Sequence, residues 1–305
     1  MSFALSVKTE IINNKKNKKE CEAFLFGMLL TTKFEDGLIR FSTSINEVGE
    51  YFVFVLKKIF GDVEYTIENE SSNISTNLHY IVKDNNYIIS NHYDLTNIHS
   101  NYKDIINNDK KLLGHCIAGN FVVRGSVNDP HTSSYHLEFL CANMASAIYL
   151  QKMINDYDLN CKIAKRRERL IVYIKESEKI VDLIRIMDAS KSAFDYDEII
   201  INRNFTNSIN RRINCDVANE QKAIKAGLEQ LKYIEYLEFN YPLEKLDPKL
   251  LLVMKVRKEN EDATLIELVE IIKDKYEIVI SKPGLSHRFS KIKEIALEHQ
   301  KGREK

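Results

Sequence analysis

The chain has 305 residues, 44 of them basic and 44 acidic, so its formal net charge is zero. With 44% hydrophobic residues it can bury a substantial core, which excludes global disorder, and any basic surface for a polyanion has to be local. The five cysteines (21, 116, 141, 161 and 215) are scattered, odd in number and never spaced C-x-x-C, which argues against a disulfide framework or a zinc site and for reduced thiols.

The opening stretch, "MSFALSVKTEIINNKKNKKE", has no apolar core ahead of a small-residue cleavage site. The apolar runs, such as "AFLFGMLL" at 23–30, fall far short of the roughly 20 residues of a membrane span. A cytoplasmic location without a membrane partner is therefore expected. Within 23–31, Ala23, Gly27 and Thr31 are spaced by four, a narrow seam of small residues along which two helix backbones can approach. A strand candidate follows at 38–45, then a helix at 46–60 and strand candidates at 62–69 and 77–83.

The same order returns. "CIAGNFVVRG" at 116–125 is a second apolar helix with one central glycine, and Gly119 lies 92 residues after Gly27. A strand candidate at 134–141, a helix at 143–157, a strand pair in 159–175 and a helix at 176–187 follow. Each half reads αββαββα, and a period this long means duplicated domains rather than a solenoid. Residues 196–219 read as irregular and rich in Asn and Arg. A helix is expected at 220–237. Asp247 caps another that opens at Pro248, and Thr264 with Glu267 has capping-box order. In 281–299, Leu285, Phe289, Ile292 and Ala296 form one buried stripe. Three short helices, the last basic on its outer face, predict a helix-turn-helix domain.

"IAGNFVVRGSV" at 117–127 resembles the nine-residue signature of LAGLIDADG homing endonucleases. The two glycine helices then resemble the crossed central helices of a monomeric LAGLIDADG protein, flanked by two saddle-shaped sheets. That resemblance implies metal-binding acids at the eighth letter of each signature, because a hard cation takes oxygen ligands. With Gly27 and Gly119 on the third letter, the eighth letters are Thr32 and Arg124. In the first copy Asp36 offers an alternative acid, against which Asp36-Gly37 reads as a tight turn. In the second, Asp129 sits in an Asn-Asp-Pro turn. No enzymatic activity, catalytic residue, metal or other cofactor is expected.

Three segments, 124–139, 207–224 and 281–292, together resemble the WhiA family, bacterial regulators that join a degenerate LAGLIDADG domain to a C-terminal helix-turn-helix. The most distinctive run is Asn210, Arg211, Asn214, Cys215, Ala218 and Asn219. The resemblance covers nearly the whole chain. It departs in the Lys- and Asn-rich opening, in a longer approach to the last helix, and at Pro283, where a small polar residue is usual. It implies a DNA-binding transcription factor linked to cell division and chromosome segregation, or to sporulation in filamentous actinobacteria.

The fold expected is α+β: a pseudo-two-fold LAGLIDADG-like domain followed by an all-α helix-turn-helix domain. The boundaries read as 1–105 (N-terminal segment and first half), 106–195 (second half), 196–219 (linker) and 220–305 (DNA-binding domain). Double-stranded DNA is the expected partner, in the cytoplasm at the nucleoid. Lys282, Ser286, His287, Arg288 and Lys291 are the candidate DNA contacts, at the start of the last helix where recognition helices read bases. Asn210, Arg211, Arg212 and Asn214 are candidates for a DNA or interdomain contact, or side chains that cap turns. Cys215 reads as a small buried residue. Strands 161–175 hold bases at 162, 165, 166, 167, 169 and 175 with one acid at 168, whereas 62–70 holds four acids and no base. The basic pair reads as a DNA contact or as an edge protected by charge, and symmetric wrapping of a duplex is not expected. A scaffold that binds a protein or small molecule through the first domain, and an active LAGLIDADG endonuclease, are the rival readings.

Overall fold

The computed structural model describes residues 2–71, 76–98, 106, 108–166 and 169–303. The chain divides into two compact units at Asn204/Phe205. In the first unit a leading helix, α1 (Phe3–Asn13), precedes the repeat. The first half runs α2 (Lys18–Leu29), β1 (Lys33–Glu35), β2 (Leu38–Thr43), α3 (Asn46–Phe60), β3 (Tyr65–Ser71), β4 (Thr76–Lys83) and, after a 3-10 turn, α4 (Ile88–Tyr93). The second runs α5 (Lys110–Arg124), β5 (Gly125–Val127), β6 (Leu137–Cys141), α6 (Met144–Asn155), β7 (Lys162–Arg166), β8 (Arg169–Ile174) and α7 (Ser177–Ile186). The two sheets have the same strand order, β1-β2-β4-β3 and β5-β6-β8-β7, with every pairing antiparallel. This is the duplicated αββαββα architecture that the sequence predicts.

Apart from Asn120, the middle turns of the central helices are apolar on all sides because they are buried on all sides. In α2, Phe24, Leu25, Phe26 and Met28 are fully buried, as are Cys116, Ile117, Ala118, Phe121 and Val122 in α5. The helices pack at their glycines. A methyl group on Gly27 would collide with the carbonyl of Cys116, and one on Gly119 with the carbonyl of Phe24. At the N-terminal ends of the same helices, Lys111 pairs with Glu20 at 2.6 Å. Glu20 also completes the Asn17 capping box of α2. Asp36 and Gly37 both have positive φ, +51° and +71°, and form the two-residue turn between β1 and β2.

Helix α8 (Ser190–Asn240) runs without a break for 51 residues. This corrects the irregular linker expected over 196–219 and the separate helix expected from 220. Asn and Arg cost a helix interior only tenths of a kcal/mol each. No Gly or Pro interrupts the chain between Ser190 and Ala226, so nothing in the sequence breaks the helix there. Its start is fixed from α1: Glu10 accepts the Lys191 and Ser192 amides at 2.8 Å each and the Ser192 hydroxyl at 2.6 Å. Tyr196 and Ile200 are buried in the first unit's core, so that unit extends past residue 195. Cys215, expected to be buried, is exposed on α8.

The second unit comprises α8 from Phe205 onward, a 3-10 turn, α9 (Pro248–Glu259), α10 (Leu265–Tyr276) and α11 (Lys282–Arg303). Its core includes Ile234, Leu237, Val253, Val256, Leu268, Ile272, Leu285 and Ile292. Asp247 caps α9 through the Lys249 amide at 2.8 Å, and Thr264 with Glu267 forms the expected capping box of α10. Among the described residues no helix is long and apolar enough to cross a membrane.

Candidate nucleic-acid interface

Ser281 opens α11, its hydroxyl accepting the Gly284 amide at 3.2 Å. Pro283 lies in the first turn, where its missing N–H costs nothing. The predicted stripe is buried: Leu285 0%, Phe289 5%, Ile292 1% and Ala296 0% exposed. Lys282, Ser286, His287 and Lys291 are exposed. Lys291 is paired with Glu294 at 2.7 Å, which holds its ammonium above the ordinary lysine range.

Arg288 departs from the expected outward position. It is half-buried, and its Nη1 is enclosed without a hydrogen-bond partner. It follows Leu285 by three and precedes Ile292 by four, so it flanks the apolar stripe and its stem lies along the helix surface.

Arg257 orients this helix, and the sequence did not single it out. It is 1% exposed at the end of α9. Its guanidinium donates to the Ala263 carbonyl at 2.6 Å and to Gln230 Oε1 at 3.0 Å, and lies 5.4 Å from the Phe289 ring centroid. It therefore joins α8, the α9–α10 turn and α11 within the unit. The only hint in the sequence is an arginine in the last turn of a predicted helix, which reads first as a dipole partner. The turn from α10 to α11 begins at Glu277, whose φ is +56°.

Asn210, Arg211, Arg212 and Asn214 are all exposed on α8. They cap no turn, because the backbone there is helical. The two sheet faces differ in charge. Register puts Glu64, Glu68 and Glu70 with Arg40 and Lys83 on one face of the first sheet. The corresponding face of the second carries Lys162, Arg166 and Arg169 around Glu138. Glu70 is held by His79 at 3.0 Å, and Glu138 by His136 at 2.8 Å with Arg166 at 3.6 Å. Arg167 and Glu168, part of the basic stretch, lie outside the described residues.

At the C-terminal ends of the central helices the side chains do not fit a divalent cation. Arg124 ends α5, and Thr32 follows α2 with its hydroxyl donating to the Leu29 carbonyl at 2.8 Å. Asp36 is taken up by the β1–β2 turn, and Asp129 accepts the His131 amide at 2.8 Å within its own turn. Among the described residues no group of three His, Cys, Asp or Glu side chains is arranged to hold a metal.

A duplicated αββαββα domain crossed at paired glycines, with a helix-turn-helix unit after it, defines a LAGLIDADG-like protein carrying a helix-turn-helix module. The WhiA LAGLIDADG-like domain model matches residues 113–206, and the WhiA C-terminal HTH domain model matches residues 209–296. The chain is 32% identical over 314 residues to "Probable cell division protein WhiA" of Bacillus mycoides (strain KBAB4), covering 97% of this chain and 96% of that protein. It is 30% identical over 322 residues to the protein of that name in Latilactobacillus sakei subsp. sakei (strain 23K), covering 98% of each. The chain belongs to the WhiA family. A crystal structure of full-length WhiA from Thermatoga maritima shares the fold, with a TM-score of 0.59 at 20% identity over 98% of both chains.

Proposed function

We propose that this protein is a sequence-specific DNA-binding regulator acting in cell division, chromosome segregation or sporulation, in the cytoplasm at the nucleoid. The observation that carries this reading is the start of α11, where Lys282, Ser286, His287 and Lys291 are exposed on a helix held in place by Leu285, Phe289 and Ile292. Such a helix enters the major groove with its first turns, where side chains reach base edges and phosphates. Its relatives' names supply the link to cell division. Asn210, Arg211, Arg212 and Asn214 form the second candidate DNA contact.

The LAGLIDADG-like domain does not cut DNA in this reading, because Thr32 and Arg124 stand where carboxylates would hold metal. Genome-wide occupancy of the tagged protein tests the regulator, together with incubation of the pure protein with plasmid in magnesium or manganese. Discrete occupied sites and intact plasmid are expected. Absence of any preferred site, or metal-dependent nicking that disappears in Asp36→Ala, overturns the reading.

A further inference from the structure

The C-terminal ends of α2 and α5 open onto a cleft of about 420 Å³ within the first unit. Two guanidinium groups, Arg124 from α5 and Arg169 from β8, line it, and among the described residues no carboxylate does. Neither arginine makes an ion pair or hydrogen bond to a described residue. Arg124 is not spent on capping its own helix, and Arg169 faces the like charge of Arg166 across the ladder. Behind Arg124 lies the buried Lys8, whose ammonium is depressed by burial first and by Arg124 second, with no acid to offset either. Both arginines are exposed, so the cleft presents positive charge to any anion that enters it.

A second, independent feature points into the same cleft. Asn120 lines it while only 6% exposed. Its Nδ2 reaches the Gly27 carbonyl at 3.5 Å, and its Oδ1 has no partner. A buried amide oxygen without a donor is uncommon in a folded protein and is satisfied by a ligand group or a water. Ala142, just before α6, and Ser146, in its first turn, contribute to the wall, and the N-terminal end of a helix favours negative charge. Leu30, Leu140 and Leu150 supply an apolar side. The volume suits a metabolite rather than a polymer. A duplex lying across both sheets would also meet Glu64, Glu68 and Glu70 on the first.

We propose that this cleft binds a small organic anion. Its oxyanion head, phosphate or carboxylate, lies between Arg124 and Arg169, a donor group reaches Asn120 Oδ1, and its body packs against Leu30, Leu140 and Leu150. The assignment does not depend on what α11 reads.

The test uses the full-length protein and equilibrium dialysis of labelled inorganic phosphate at constant ionic strength. Thermal melts in ribose 5-phosphate, ribose and chloride accompany it. Saturable phosphate binding is expected, with stabilisation by ribose 5-phosphate and none by ribose or chloride. Arg124→Gln and Arg169→Gln should each weaken binding at least tenfold, roughly the loss of one charged hydrogen-bonded contact. Lys232→Ala, at an exposed lysine of α8, should leave it unchanged. No saturable binding, or parental binding by both folded arginine variants, overturns the proposal. If random duplex DNA displaces phosphate with the same dependence on Arg124, the cleft is a backbone contact for DNA, and the small-molecule assignment falls.

Discussion

Gly27 and Gly119 occupy equivalent places on crossing helices, each pressed against the other helix's backbone. Gly27 meets the carbonyl of Cys116 and the amide of Asn120, and Gly119 meets the carbonyl of Phe24 and the amide of Met28. The contacts are reciprocal: each glycine touches the residue three before and the residue one after its counterpart. The pseudo-two-fold axis therefore passes through this crossing.

Gly27→Leu or Gly119→Leu should force these backbones apart. Overpacking costs about 1–3 kcal/mol in ordinary cores and more where the obstacle is backbone that cannot rotate away. Denaturant melts of the full chain should show a lower midpoint for the first unit. Parental midpoints in both variants would mean that the helices do not cross there.

The Glu10 carboxylate tests how the first unit is closed. It holds the first amides of α8 from 181 and 182 residues away. Glu10→Ala removes this cap together with the Ser192 hydroxyl bond, and a loss of about 1–3 kcal/mol is expected. Faster amide exchange at Lys191 and Ser192 is the specific signature, and protection unchanged from the parent contradicts the assignment.

Local signals in the sequence carried most of the fold. The period of the two apolar helices, the Asp36-Gly37 turn, Asp247 and the Thr264–Glu267 box are each read within a few residues, and each has the structure its chemistry demands. The glycine pair was legible because it recurs. Glu10 and Arg257 were not, because a capping carboxylate and a buried guanidinium are defined by partners distant in the chain. The continuity of α8 was missed for a different reason. Asn-rich composition suggests a loop, yet a helix ends only where Gly, Pro or a cap ends it, and none occurs between 196 and 219. The cleft joins Arg124, whose charge was noticed as the loss of a metal ligand, to Arg169, which lies on another element. Only the fold brings them together.

Lys8 predicts a pH dependence. Burial first, and Arg124 second, lower its ammonium from 10.5 to about 8. Between those values the unfolded chain binds a proton that the folded chain has released, so this residue makes stability rise with pH across that window. Below about 8 both states are charged and the whole penalty of burying the ammonium is present. Lys8→Met should therefore stabilise the protein at pH 7, by roughly 1–3 kcal/mol. The gain should shrink as pH rises from about 8 toward 10.5. The quantity to follow is the difference in melting temperature between variant and parent, in which titrations common to both proteins cancel. A gain that stays constant from about pH 7 to about pH 10 would assign the effect to packing rather than charge.

The α11 contacts predict two separable defects. Lys291 is exposed and gives up only Glu294 when it turns to DNA, and a surface ion pair of this kind is worth little. It is the proposed phosphate contact. Lys291→Ala should weaken all duplexes about equally and lower the salt slope by about one. Arg288 is placed differently. Its Nη1 is enclosed beside the apolar stripe and has no partner, which restrains the guanidinium and limits how it can extend. To pair with the two acceptors of guanine the guanidinium has to leave that position, and such a pair is worth roughly 1–3 kcal/mol of discrimination. Arg288→Ala should therefore weaken the preferred site most and flatten the sequence preference. The conservative change Arg288→Lys should keep the charge and the salt slope but lose the discrimination. Competition binding against a mapped site and a scrambled duplex, at two salt concentrations, reads all three variants. If Arg288→Ala lowers the melting temperature of the second unit and leaves preference intact, Arg288 is a packing residue. Parental affinity in the folded Arg288→Ala/Lys291→Ala double variant would move the reading surface to Asn210, Arg211, Arg212 and Asn214 or to the basic face of the second sheet.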